Sequence, residues 1–372
     1  MFNAYQSLNS RVARTTLLCW LALAIFNLPA AAQKYQVTVT TSDIPGISTF
    51  TDANLNNPWG LSISPTGAWW VSDNGTGLST LYNGSGQPQS LVVTIPSADG
   101  SDTGTPSGTV YNGTQDFQLA AGKPAIFLFV TEDGTMSGWN PGVNGTNAIV
   151  TVNNNNGAVY KGMALASAGG VNYIYVTNFN AGTVEVYDKT FAPHSFGVGA
   201  FQDNTIPAGF APFNIQLVGS NLVVTYAKQD DDKHDDVAGP GNGYVDIYDT
   251  QGNLVSRLPH SIYMNSPWGV VQAPGNFGTF SNDLLIGNFG SGSIMAFNSA
   301  GKFVGLVVDP AALNLRIDGL WAIAFGNGGS GGPTNILYFT AGVFDEAHGL
   351  FGTILPTSGQ GAVNPHSLAK KR

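Results

Sequence analysis

One unit recurs along this chain, and its recurrence limits the fold more than any other feature. Residues 266–307 show it most plainly: SPWGVVQAPGNFGTFSNDLLIGNFGSGSIMAFNSAGKFVGLV. Four runs rich in Val, Ile, Leu and Phe are separated by Gly/Asn/Ser clusters, the pattern of short strands joined by tight turns. DLLIGNF is apolar at consecutive positions, which suits a strand covered on both faces. No stretch of useful length carries a helical period.

Six such units can be laid out. Their second strands align Asp73, Glu132, Asn178, Tyr226, Asn288 and Ala341 at one equivalent position. A period near 50 residues with four strands per unit marks a β-propeller. In the second unit QDFQLA (115–120) reads as the first strand, followed by AIFLFVTEDG, TMSGWNPG and AIVTV. The sixth unit stops after three strands, LWAIAFG, NILYFTAG and LFGTILP, while Tyr35–Thr41 (YQVTVTT) alternates as a strand with no hairpin partner. Each supplies what the other lacks. The expected fold is therefore all-β, a six-bladed β-propeller over residues 33–356. Its N-terminal strand closes the last blade and removes an open sheet edge.

Before this domain, Arg11 and Arg14 precede the apolar run TLLCWLALAIF and the small residues Ala30-Ala31-Ala32. That order reads as a cleaved secretory signal over residues 1–32, too short for a comfortable membrane span. Cys19, the only cysteine, lies within it. The expected mature chain therefore has no disulfide, is secreted or periplasmic, and has no membrane span. Losing the leader's two arginines leaves 12 basic residues against 23 acidic ones, a formal charge of −11. Without a basic cluster outside the last few residues, binding to nucleic-acid phosphates is not expected. Residues 357–372 read as a loose polar tail.

The repeats are similar to NHL-type blades, in which Val-x-Asp/Asn-x-Gly follows the second strand. More narrowly, SDIPG (Ser42–Gly46), TEDGTMSGWNP (Thr131–Pro141), APFNIQ (Ala211–Gln216) and the stretch Ala227–Asp249 resemble an uncharacterised family of exported bacterial proteins. NPWGLS and WVSDNGTGLSTLYNGSG resemble it too. The resemblance implies a propeller and brings no activity or catalytic residue.

In a propeller, first strands begin and second strands end on the same face, so residues there share a channel mouth. The repeat alignment places Trp59, Gln115, Lys161, Phe213, Trp268 and Trp321 at the first-strand entrances. Asp116 and Asn214 follow at positions that are small or glycine in other units. A concave site with few polar groups on an aromatic floor is a default ligand site. Trp59, Asn214, Tyr226, Lys228, Trp268 and Trp321 are the expected ligand-binding residues. The ligand classes considered are a small molecule, a glycan or a partner protein. Trp residues at a recurring strand position also serve inter-blade packing, and Asp or Asn before Gly forms turns.

The alternative is a Ca²⁺-dependent hydrolase or lyase. Oxygen donors at Glu132, Asn178 and Asn288, with Asp235 from the acidic insertion QDDDKHDDVAGPGNG (229–243), are the expected metal ligands. Asp116, Lys161 and His234 are the expected acid–base groups. Lactonases of the gluconolactonase type hold a metal ring at a similar mouth, but this chain lacks their motifs, so the likeness is one of fold. The insertion is not an EF-hand, because Asp235 stands where the loop needs glycine. As a bare acidic loop it would be solvated.

Overall fold

The computed structural model describes residues 33–357, and the expected leader and the tail from 358 onward lie outside the described residues. Among the described residues no helix is long and apolar enough to cross a membrane. The chain is a six-bladed β-propeller, with five four-stranded sheets and a closing one of five strands. Blade one holds Pro58–Ile63, Trp69–Asp73, Leu78–Tyr82 and Val93–Thr94 from the axis outward. The inner strands of the later blades are Pro106–Tyr111, Tyr160–Ala168, Phe210–Val218, Pro267–Gln272 and Leu320–Phe325.

Closure is as the sequence predicts. Tyr35–Ser42 lies antiparallel to His348–Pro356, with Tyr35 opposite Pro356 and Ser42 opposite Leu350. Tyr35 is fully buried, packs on Phe277 and Phe280, and donates its hydroxyl to Phe277 O at 2.9 Å. The N-terminal strand is thus anchored in the core between blades five and six as well as by its ladder.

Blade two departs from expectation. Its inner strand is Pro106–Tyr111, and residues 115–120 belong to an excursion between the first and second strands. The second strand also runs one residue out of the expected frame. Thr131, not Glu132, pairs with Pro106 as Asp73 pairs with Pro58 and Asn288 with Pro267.

The inner strands approach so closely that glycine is needed on the channel wall. A Cβ at Gly60 would lie 2.4 Å from Ser107 O, and one at Gly108 would lie 2.8 Å from Met163 N. Side chains bond neighbouring blades across the same wall. Ser107 Oγ donates to Tyr160 O at 2.6 Å, Thr340 Oγ1 to Trp59 O at 2.7 Å, and Asn214 Nδ2 to Trp268 O at 2.7 Å. Each buried bond contributes about 1 kcal/mol. The wall they fix is what holds the mouth in register.

Candidate functional site

Around the ends of the second strands the mouth divides into an apolar and a polar half. Phe179, Ala227 and Phe289 join Trp59, Phe213, Trp268 and Trp321 in one apolar plug. Trp321 stacks on Trp59 at 3.7 Å and on Phe289 at 3.9 Å between ring centroids. Trp268 meets Trp321 edge-on. The three indoles are 1–4% exposed, so they form a packed floor and not an open stacking face.

The other half is a polar arc. Asn57 Nδ2 donates to Glu346 Oε2 at 2.9 Å and lies 3.4 Å from Asn74 Oδ1. Asn74 Nδ2 donates to Glu132 Oε2 at 2.7 Å, and Glu132 Oε1 accepts from Lys161 Nζ. Lys161 Nζ also donates to Asp235 Oδ1 at 3.0 Å, and His234 Nδ1 lies 3.0 Å from the same oxygen. Groups from blades six, one, two, three and four are thereby joined. Asn57 Oδ1 accepts from Trp321 Nε1 at 3.3 Å, which ties the arc to the floor.

Lys161 is 1% exposed, with its ammonium 4.9 Å from the Trp59 ring centroid. Burial alone pushes its pKa down. The carboxylates of Glu132 and Asp235 more than reverse this and hold it above the ordinary lysine value. Among the described residues half-buried Glu346 bonds no cation, although the Lys161 charge acts on it from a distance. Burial, opposed by the Asn57 hydrogen bond, pushes its carboxyl up to about 7. Burial likewise pushes Asp236 up to about 6, and its Oδ2 is buried without a hydrogen-bond partner among the described residues.

The backbone is held in unusual conformations here. Phe344, Asp345 and Glu346 are three consecutive non-glycine residues at φ +56°, +53° and +63°. Asn57 has φ +44° immediately before Pro58, and Ser266 has φ +48° before Pro267. Each such residue costs on the order of 1 kcal/mol, and such costs concentrate at functional sites.

Burying Glu346 has a pH signature. Its folded-state pKa lies above the unfolded value, so the native state takes up the proton more readily. The penalty of a buried charge is present above about pH 7 and gone near pH 4.5. Glu346→Gln is expected to stabilise the protein by about 1–2 kcal/mol at pH 8, with the gain shrinking to zero toward pH 4.5. Paired denaturant melts across that range check it.

The arc gathers Lys161, Glu132, Asp235 and His234, with Trp59, Trp268 and Trp321 beneath them. Lys228 stands exposed at the end of its strand. The other expected residues do different work. Asp116 lies in the loop between the first and second strands of blade two, at the opposite end of the axle, where its Oδ2 accepts from Asn172 at 2.8 Å. Tyr226 turns into its own blade and meets Tyr248 at 2.9 Å between hydroxyl oxygens. Asn178 and Asn288 bond within their own blades: Asn178 Oδ1 accepts from Ala181 N, and Asn288 Oδ1 accepts from Asn265 N while its Nδ2 donates to Ser293 O. Asn214 spans two blades within the wall. The expected oxygen ring is therefore not assembled. Glu132, His234 and Asp235 do offer ligand atoms within 4.8 Å of one another. The Lys161 ammonium already bonds both carboxylates, however, so a divalent cation would have to displace it. Sequence reasoning passed over Asn57 and Glu346, and read Asn74 as a turn residue and Asp236 only as part of the acidic insertion. Glu346 lies in the loop FDEAHG, whose histidine, His348, pairs with Asp43 at 2.8 Å.

No family model matches the chain. It is similar to uncharacterised proteins of Acanthamoeba polyphaga mimivirus. One is 29% identical over 336 residues, covering 87% of this chain and 81% of the relative. A second is 28% identical over 340 residues, with 87% of each covered. These relatives are viral, not bacterial, and bring no activity with them. Among solved structures, virginiamycin B lyase from Staphylococcus aureus superposes with a TM-score of 0.51 at 10% identity, covering 87% of this chain and all of that one. A streptogramin B lyase gives 0.51 at 12% identity, over 87% and 98% of the two chains. A Bacteroides thetaiotaomicron protein of unknown function gives 0.52 at 12%, over 87% and 76%. At such identities the likeness is one of architecture: the chain shares its β-propeller fold with the virginiamycin B lyases.

Proposed function

We propose that this propeller binds a small molecule at its channel mouth, on the polar arc beside the tryptophan floor. One observation carries the reading. The indole N–H groups of Trp59 and Trp268 are buried and find no acceptor among the described residues, although Trp321 between them does. A buried donor without a partner costs about 1–3 kcal/mol. A ligand oxygen seated at the arc would relieve that cost, which favours a molecule bearing a carbonyl or hydroxyl. A thermal-shift screen of hydroxylated and carbonyl-bearing small molecules tests the reading. Hits are expected to lose about tenfold or more in affinity in Trp59→Phe or Trp268→Phe, one hydrogen bond's worth. Hits indifferent to both substitutions would place binding elsewhere.

A second reading, hydrolase- or lyase-type chemistry, draws on Glu346. A carboxyl near neutrality suits a general acid. Turnover of a bound compound, abolished in Glu346→Gln, would make the mouth a catalytic centre.

A further inference from the structure

The described residues hold two arginines, Arg257 and Arg316. Arg257 is paired with Asp203 and Asp246. Arg316 meets no carboxylate within 4 Å among the described residues, and it lines a cavity of about 270 Å³ on blade five. Ser291 and Ser293 come to this cavity from the turn after the second strand, Leu284–Asn288. Ile262 and Tyr263 come from the connection entering the blade, and Asn314 with Arg316 from the connection leaving it. None of the cavity's lining residues belongs to the polar arc or the tryptophan floor. The backbone anchors the arginine there. Leu315 and Ile317 on either side are buried in the core, with Leu315 N donating to Val307 O and Ile317 N to Gly292 O, each at 2.9 Å. Arg316 between them is exposed.

We propose that this cavity is a second ligand site, for a sugar bearing a carboxylate, such as a uronic acid. The guanidinium offers a planar fork of N–H donors that matches a carboxylate. Tyr263 is partly exposed and stacks on Phe303 at 5.8 Å between ring centroids. With Ile262 it gives an apolar side suited to the C–H face of a sugar ring. The hydroxyl oxygens of Ser291 and Ser293, 2.8 Å apart, and the Asn314 amide supply partners for ring hydroxyls. A neutral sugar would leave the guanidinium unused, an apolar acid would leave the hydroxyls unused, and inorganic phosphate would make no use of the tyrosine. A uronate meets all three. Asp318, exposed two residues beyond Arg316, and the chain's net negative charge oppose an anion at a distance. Recognition therefore depends on close contact with the fork. At about 270 Å³ the cavity is near the lower end of ligand pockets, about 300 Å³, which suits one ring and not a chain of them.

Calorimetric titration of the full chain at pH 7 with methyl β-D-glucuronide, methyl β-D-glucoside and benzoate tests the assignment. The two sugars differ only in carrying a carboxylate or a hydroxymethyl group, and benzoate keeps the carboxylate on a ring without hydroxyls. The glucuronide is expected to bind at least about tenfold more tightly than either, the worth of one hydrogen bond to a charged group. That preference should vanish in Arg316→Gln and return only in part in Arg316→Lys, which keeps the charge and loses the fork. Tyr263→Ala should weaken the glucuronide severalfold. Because Arg316 is exposed, its variants should melt with the wild type, which confirms that they are folded. A glucuronide that binds no more tightly than the glucoside or benzoate, or that does not bind, overturns the assignment. Binding that survives Arg316→Gln and falls in Trp268→Phe would place the sugar at the mouth, overturning this site while the mouth reading stands. If the mouth screen gives no hit and the glucuronide binds through Arg316, the mouth reading falls alone.

Discussion

Deleting residues 33–42 is expected to abolish cooperative folding. Those residues supply the fourth strand from the axis in the closing blade, paired from Tyr35–Pro356 to Ser42–Leu350. Without them His348–Pro356 becomes an open edge carrying Leu350 and Ile354, and such edges invite aggregation. The deletion also empties the space that Tyr35 fills against Phe277 and Phe280. Tyr35→Ala isolates that part and should cost about 3–5 kcal/mol, as for other large aromatic truncations. Circular dichroism melts and soluble yield give the readout. A deleted chain that stays soluble and melts with the native transition would contradict head-to-tail closure.

The second large effect belongs to Lys161. Replacing it with Met keeps the stem's volume and removes the ammonium, leaving Glu132, itself only 9% exposed, without its countercharge. Breaking a buried pair from one side costs about 3–5 kcal/mol. Most of that loss comes through Glu132. Asp235 is 65% exposed and its share is screened by water. The sign with pH follows from the direction of the lysine's shift. Its folded-state pKa is raised, so its contribution is fully present through neutral pH and is lost only as pH climbs past the folded value. Lys161→Met should therefore be destabilised relative to wild type at pH 7, and the gap should close only in strong alkali.

What could be read from the sequence follows from how local each signal is. Blade repeats and the closing strand are written in runs of Val, Ile, Leu and Phe between turns, and Tyr35–Ser42 pairs with 348–356 as that pattern requires. Pro106–Tyr111 escaped notice because the channel wall demands small residues there, so PSGTVY lacks a strand's usual bulk. A Pro-x-Gly triplet shared by Pro58-Trp59-Gly60, Pro106-Ser107-Gly108 and Pro267-Trp268-Gly269 would have located it. Missing it shifted blade two and drew Asp116 into the site. A separate offset of one residue, in the second strand, explains Glu132. Standing one place beyond the strand's last paired residue, Thr131, it is free to bond Lys161, whereas Asn178 and Asn288, still within the frame, bond within their own blades. Lys161 was legible because the residues aligned with it in the other units are Trp, Gln or Phe, so packing alone does not ask for a lysine. Asn57 and Glu346 were not, because a contact 289 residues apart in sequence leaves no local trace.

The claim on which the account depends is that separate blades bring charged groups together in a buried mouth. A double-mutant cycle on Lys161→Met and Glu132→Gln measures it most directly, with stabilities from denaturant unfolding at pH 7. The structure predicts strong coupling: the double variant should be more stable than the sum of the single losses implies, by at least about 2 kcal/mol. Losses that add to within about 0.5 kcal/mol would mean that the two side chains do not meet, and the mouth described here would not exist.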